Sequence, residues 1–218
     1  MSDTDSFIDE VTEEVRRDRL YALIKRWGWV AVLLVVVLVG GAAWHEYSSA
    51  QDRAAAQALG DEILTALEAE EPAARAEALS AIDAPTAGSE AILSMLLAAE
   101  AGRAGDEAAA TQSLEAVAAN DGVPEIYREI ASFKALSRPG SGLSADDRRA
   151  GLEALAIPGK PLRLLAEEQL ALIEIEAGDS DAAISRLRGI TEDSEATSGL
   201  RQRASQLIVA LGGETDAG

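Results

Sequence analysis

The chain has 218 residues, of which 38 are acidic and 19 basic, so its formal charge at neutral pH is -19. This acidity argues against binding of nucleic acid, and against an acidic domain lying flat on anionic lipid, because both surfaces are negative themselves. No cysteine occurs, which excludes disulfides and thiol chemistry. The length allows one membrane segment plus one domain of about 170 residues with its own core.

Residues 1–26 are too few for a domain and predict a cytoplasmic tail with a short amphipathic helix, capped by Asp5 or Ser6. One apolar face is formed by Phe7, Ile8, Val11 and Val15. That face fits either a helix that docks onto a partner or a solvated tail. A second apolar face is formed by Leu20, Leu23, Ile24 and Trp27. It suits a helix that lies at the membrane surface before the chain turns into the bilayer.

Residues 27–47 predict a transmembrane signal-anchor helix in contact with the lipid bilayer. Trp27 to Trp44 is a run of eighteen residues without a charge, which as a helix spans about 27 Å, close to the ~30 Å hydrocarbon core of a bilayer. The run is apolar on every face, whereas a helix in a soluble protein has one apolar stripe. Rings suited to the membrane–water interface flank it: Trp27, Trp29, Trp44 and Tyr47. The competing interpretation is a buried core helix.

Basic residues set the expected orientation. Five precede the apolar run: Arg16, Arg17, Arg19, Lys25 and Arg26. The next twenty residues after Trp44 contain only one, Arg53. Since Lys and Arg accumulate on the cytoplasmic side, the N-terminus is expected inside and the C-terminal domain outside the cytoplasm. A cleaved signal peptide is the alternative, because Ser48 to Ala50 has suitable small residues, but the leader is long and acidic for one.

The remainder, residues 48–211, predicts a string of helices. Ala, Leu, Glu, Gln and Arg dominate it, and these residues favour helix. Breaks rich in Gly, Pro, Ser and Asp occur at 70–72, 83–89, 102–106, 120–124, 138–144, 157–161, 177–181 and 192–199. The segments between them have ordinary helix lengths and give about nine helices. The fold class is therefore all-α.

A repeat emerges when the second helix of each helix pair is aligned. An apolar i, i+3 pair recurs at Leu79/Ile82, Leu114/Val117, Leu152/Leu155 and Leu187/Ile190. The leucines are 35, 38 and 35 residues apart, near the period of about 34 that is typical of tetratricopeptide repeats. Because one such pair cannot bury its own apolar face, the pairs are expected to stack as an α-solenoid. A generic α-helical array is the alternative, and Leu200 to Leu211 predicts a terminal capping helix.

This layout resembles a known family. A short charged tail, one anchor, an aromatic exit in "WHEY" and degenerate tetratricopeptide-like pairs are similar to the YfgM-like ancillary subunits of the SecYEG translocon. The resemblance covers the whole chain in architecture and rests on no diagnostic motif. It implies a periplasmic repeat domain at 48–211 on the bacterial inner membrane, before a polar tail at 212–218. It also implies three partners: the Sec translocon, a membrane-anchored periplasmic chaperone of the peptidyl-prolyl isomerase type, and secreted client chains.

The sequence predicts no enzyme, no cofactor, no metal site and no small-molecule substrate. His45 is the single histidine and lies at the expected membrane boundary, so it cannot form a ligand cluster alone. No metalloprotease motif, nucleophile elbow or phosphate-binding glycine loop occurs. "PGSG", from Pro139 to Gly142, offers Ser141 but no histidine base other than His45, and we interpret it as a loop.

Clustered carboxylates also have structural interpretations. "GDSD" and "EDSE" predict helix N-caps at Asp179 or Ser180 and at Ser194. Glu167 and Glu168 are neighbours on one helix, point apart, and are interpreted as part of a solvated face.

Protein binding is the remaining class of function. The only aromatic-bearing cluster of the outer domain is formed by Ile126, Tyr127, Ile130 and Phe133. These side chains fit either the core or a partly exposed contact for a partner. The favoured function is a translocon-associated scaffold or co-chaperone. The alternative is a scaffold for cytochrome maturation, cell-wall synthesis or outer-membrane assembly.

Overall fold

The computed structural model describes residues 3–138 and 140–214; within the first helix it describes the side chains of residues 25–27, 29, 30 and those from 32 onward. The described backbone is helical, with turns between helices and no strand, so the all-α prediction is confirmed. In chain order the helices are α1 (Asp3–Leu67), α2 (Pro72–Ser80), α3 (Ala87–Arg103), α4 (Glu107–Ala119), α5 (Glu125–Leu136), α6 (Ala145–Leu155), α7 (Arg163–Glu176), α8 (Ser180–Glu192) and α9 (Ser198–Ala210).

Helix α1 is continuous from the tail through the apolar run. The predicted turn from the membrane surface into the bilayer is therefore absent from the described backbone. The sequence offers a reason, because its first proline is Pro72 and nothing before it removes a helical hydrogen bond. The side chains of the two predicted tail faces, apart from Trp27, lie outside the described residues. By compactness the chain divides into one unit up to Gly60 and another from Asp61.

The predicted breaks coincide with helix ends because their residues terminate and cap helices. Gly105 and Gly178 have φ of 87° and 80°, a backbone conformation that glycine adopts without strain. The next residue in each case, Asp106 or Asp179, accepts a hydrogen bond from a backbone N–H of the following helix at 3.0 Å. Asp179 is thus the N-cap of α8. The prediction for Ser194 is wrong, because Thr197 caps α9 by accepting from the N–H of Leu200.

The aligned leucines all occupy second helices of successive pairs. Leu79, Leu114, Leu152 and Leu187 lie on α2, α4, α6 and α8, and each is at most 1% exposed. Their i+3 partners in the last three pairs are also buried, whereas Ile82 follows the end of α2 and is half-buried. The period read from the sequence therefore marks the strip along which neighbouring helices pack.

The core is built from overlapping clusters along the chain. One cluster joins α3, α4 and α5, the next joins α5, α6 and α7, and the last joins α7, α8 and α9. Each helix from α2 onward packs on the next in sequence. Packing of each helix mainly on its neighbours in sequence is characteristic of helical-repeat proteins. Close approach is needed in the third pair, since a Cβ on Gly151 would meet both Cδ atoms of Leu136 at 2.7 Å.

Candidate functional site

Helix α1 presents its apolar run to the outside. Among the described residues it is the one helix that is long and apolar enough to cross a membrane, in the segment Val32–Leu67. The interface aromatics Trp27, Trp29, Trp44 and Tyr47 are between 58% and 74% exposed. Lys25, Arg26 and His45 are exposed as well, and the side chains of Arg16, Arg17 and Arg19 lie outside the described residues. The exposure of this run is compatible with a single-pass membrane anchor.

Buried glutamates lie on the first helices of the helix pairs, α3, α5 and α7. Four glutamates are at most 9% exposed, and all lie on α3, α5 or α7: Glu100, Glu129, Glu168 and Glu174. Each accepts from a base on another helix or loop: Arg75, Lys160, Arg203 and Arg186, respectively. Because an unpaired buried carboxylate is costly, these pairs fix how each helix sits on its neighbours.

The sequence interpretation of Glu167 and Glu168 as a solvated face is wrong. Glu168 is buried, and Arg203 on α9 donates to its two oxygens at 2.7 and 2.9 Å. Glu167 points the other way and pairs with Arg186 on α8. Arg186 also donates to Glu174 at 2.7 to 3.1 Å, and these hydrogen bonds raise the pKa of the Arg186 guanidinium well above its usual value. The two carboxylates therefore join α7 to the two helices that follow it, α8 and α9.

A clamp joins the start of α5 to the loop between α6 and α7. Lys160 in that loop donates from Nζ to Oε1 of Glu125 at 2.9 Å and also to Glu129, one helical turn further on. The hydrogen bond and charge of Lys160 lower the pKa of Glu125 below its ordinary value. Lys160 also donates its backbone N–H to the carbonyl of Ile157 at 3.1 Å, so both the side chain and the backbone of Lys160 hold the loop in place.

The clamp encloses one side of a groove of about 580 Å³. We call it the α5–loop groove, and it is lined by Glu125, Ile126, Glu129, Ile157, Pro158, Gly159, Lys160 and Pro161. Ile126 is 42% exposed and Ile157 is 52% exposed, so the apolar part of the groove is open to solvent. The sequence predicts Ile126 as a possible contact but not Ile157 or Lys160, since "IPGKP" indicates only a break between helices.

The four predicted contact residues on α5 do not share one environment. Ile126 lines the groove, whereas Tyr127 packs against the α3–α5 cluster and Phe133 against the α5–α7 cluster. Ile130 is half-buried. A partner-binding role for these residues stays a prediction, and of the four only Ile126 offers an exposed apolar surface.

Elsewhere in the part of the chain that the structure describes, no cluster of three or more His, Cys, Asp or Glu side chains is arranged to hold a metal ion. A further groove between α7 and α8, of about 500 Å³, is lined by the Arg186 ion pairs already described. Its fourth charged residue, Arg163, forms ion pairs with Asp193 and Glu195. The arrangement as a whole is that of helix pairs held by apolar strips and ion pairs.

The fold defines a helical-repeat protein of the kind that mediates contacts between proteins. A family model for the tetratricopeptide repeat-like domain matches residues 24–136, from just before the apolar run to the end of α5. The chain belongs to this tetratricopeptide repeat-like family. No curated protein and no solved structure matches it significantly. Folds of this kind are typically non-enzymatic scaffolds.

Proposed function

We propose that the chain is a membrane-anchored periplasmic scaffold or co-chaperone that works beside the Sec translocon. Residues 1–26 form its cytoplasmic tail, 27–47 its anchor, 48–211 its periplasmic repeat domain and 212–218 a polar tail. The repeat domain assists newly translocated proteins through protein contacts, together with a membrane-anchored periplasmic chaperone. Specific membership of the YfgM-like family is part of this proposal.

The observation that carries the proposal is the direct joining of an exposed apolar helix to a helical-repeat domain. The apolar residues of α1 between Val32 and Val39 are more than half exposed, which water disfavours and lipid satisfies. The five basic residues before the run, against the single Arg53 in the twenty residues after it, favour an inside-to-outside orientation. The family assignment supports a role in protein binding.

Topology is the first test. A reporter enzyme that is active only outside the cytoplasm is fused after Gly218, and a matched fusion is made after Arg26. The first fusion is expected to be active and the second inactive. The second fusion lacks the anchor and serves as the cytoplasmic control, so inactivity of the first fusion would overturn the proposed orientation and the periplasmic location of the repeat domain.

The second test identifies partners in living cells. A photo-reactive amino acid replaces exposed residues of the repeat domain, such as Leu64, Ile126 or Val209, and the tail residue Lys25 in parallel. Capture of translocon subunits, of a periplasmic isomerase-type chaperone or of nascent secreted chains supports the proposal. Capture of another envelope-assembly machine, with no translocon component, would replace it by the scaffold for cytochrome maturation, cell-wall synthesis or outer-membrane assembly.

A further inference from the structure

The α5–loop groove is a preformed surface rather than a gap between mobile parts. Its loop wall is held by Lys160, which bonds Glu125 and Glu129 on the opposite wall. Pro158 and Pro161 fix their own φ angles and stiffen the same loop. A surface that is already ordered loses little conformational entropy when a ligand binds.

The apolar part of this groove has two exposed anchor points. Single exposed isoleucines are common on protein surfaces and carry no meaning alone. Here Ile126 and Ile157 come from elements 31 positions apart and line one concavity with the two prolines. Its volume of about 580 Å³ lies within the usual range of ligand-binding clefts. The groove can therefore receive a large apolar side chain.

The rim selects the charge of the occupant. Among the residues that line the groove, Glu125 and Glu129 share the single base Lys160, so the lining carries one net negative charge. The side chain of Glu125 is 68% exposed, and only its Oε1 atom bonds Lys160. Its second oxygen can accept from an incoming cation. A second copy of this acidic chain would bring like charges together, whereas a basic segment would be attracted.

We propose that the α5–loop groove binds an extended polypeptide segment in which a large apolar side chain stands next to a lysine or arginine. The apolar side chain packs between Ile126 and Ile157, and the neighbouring base pairs with Glu125. This inference rests on the protein-binding function proposed above and gives that function a contact site and a client chemistry.

The test uses the full chain in nanodiscs of zwitterionic lipid and a set of short photo-reactive peptides. The probe peptide carries one photo-leucine between two lysines in a Gly/Ser background. One matched peptide replaces the lysines by glutamate, and another replaces the leucine by serine. The probe is expected to crosslink to proteolytic fragments of the chain that contain Ile126 or Ile157. As competitors of this crosslinking, both matched peptides are expected to bind at least about tenfold more weakly. Equal binding of the glutamate peptide would overturn the proposal.

Four variants then separate the groove from the rest of the surface. Ile126→Ser and Ile157→Ser are expected to weaken binding of the probe about tenfold, since each removes an apolar anchor. Val209→Ser removes an apolar side chain that is 60% exposed on α9 and is expected to leave binding unchanged. Glu125→Gln is expected to weaken binding about threefold and to reduce its salt dependence, whereas the same substitution at Glu115, which is exposed on α4 and lies outside the groove, has neither effect. Wild-type affinity in both isoleucine variants would overturn the proposal.

The groove and the proposed cellular function fail in different ways. If the probe does not bind the groove but translocon components are captured from other sites in cells, the groove inference is overturned and the scaffold function stands. If the probe binds the groove but no cellular protein is captured from any exposed site, the scaffold function fails and the binding chemistry of the groove stands.

Discussion

Arg75 holds the start of the repeat unit together through a carboxylate that it shares with Arg103. Its Nε donates to Oε2 of Glu100 on α3 at 2.7 Å, and its Nη1 donates to the carbonyls of Ala69 and Glu70 at 2.9 and 2.7 Å. The side chain of Glu100 is 3% exposed and that of Arg75 is 17% exposed. Arg103 bonds the other oxygen of Glu100 from a side chain that is 64% exposed. The two arginines thus differ in burial while serving the same acid.

We predict that Arg75→Met lowers the free energy of unfolding by about 2–4 kcal/mol. Removing one partner of a buried ion pair costs about 3–5 kcal/mol, and the remaining bond from Arg103 offsets part of that loss. Arg103→Met removes only a mostly exposed partner, and such pairs contribute about 0–1 kcal/mol. The same Arg→Met substitution at the two partners of Glu100 is therefore expected to lower the free energy of unfolding by amounts that differ by about 2 kcal/mol or more.

Urea unfolding followed by circular dichroism measures the difference between the two variants. Because helical arrays can unfold in parts, amide exchange of peptides from α2 and α3 is measured in parallel, with α8 as internal reference. Arg75→Met is expected to accelerate exchange in α2 and α3 and to leave α8 unchanged. Equal unfolding midpoints for the two variants would refute the assignment of Glu100 as a buried acid that depends on Arg75.

Two further predictions concern packing and pH. Gly151→Ala is expected to destabilise the protein by about 1–3 kcal/mol relative to Gly189→Ala, because the new methyl would collide with Leu136, whereas the site at Gly189 is open. Thermal unfolding of both variants measures this difference, and equal unfolding midpoints would contradict the prediction. The hydrogen bond from Arg163 lowers the pKa of Asp193 below its ordinary value of 3.8, so the stability it contributes is present above that value and is lost as the pH falls below it. Unfolding measured between neutral pH and pH 3 should show this loss in the wild type and a smaller one in Arg163→Met.

The helix boundaries were predictable because the signals that set them are local. Glycine and aspartate at 105–106 and 178–179 terminate one helix and cap the next through atoms a few residues apart. The buried strip was predictable for a similar reason, since an i, i+3 leucine pair needs only helical geometry to define a face. Leu114 and Leu187 are buried as their spacing indicated.

The ion pairs and the groove were not predictable, because they join residues that are distant in sequence. Arg203 and Glu168 are 35 residues apart, and the depth at which Glu168 lies depends on how α9 packs on α7. Nothing in the local sequence distinguishes the buried Glu168 from an exposed glutamate. Ile157 is a candidate contact because the α6–α7 loop lies beside the start of α5, and no local sequence pattern indicates this proximity.

The ion pairs also decide what surface remains for a partner. Most arginines after the apolar run donate to carboxylates of the same chain, as Arg138 does to Glu107 and Arg148 to Glu176. Between residues 61 and 90, by contrast, no described carboxylate takes part in an ion pair. Each ion pair cancels one charge of each sign, so the excess negative charge of the chain lies on carboxylates such as these. A basic partner would be steered by that charge, so its association rate should fall with salt, while apolar contacts at Ile126 and Ile157 would govern how slowly it leaves.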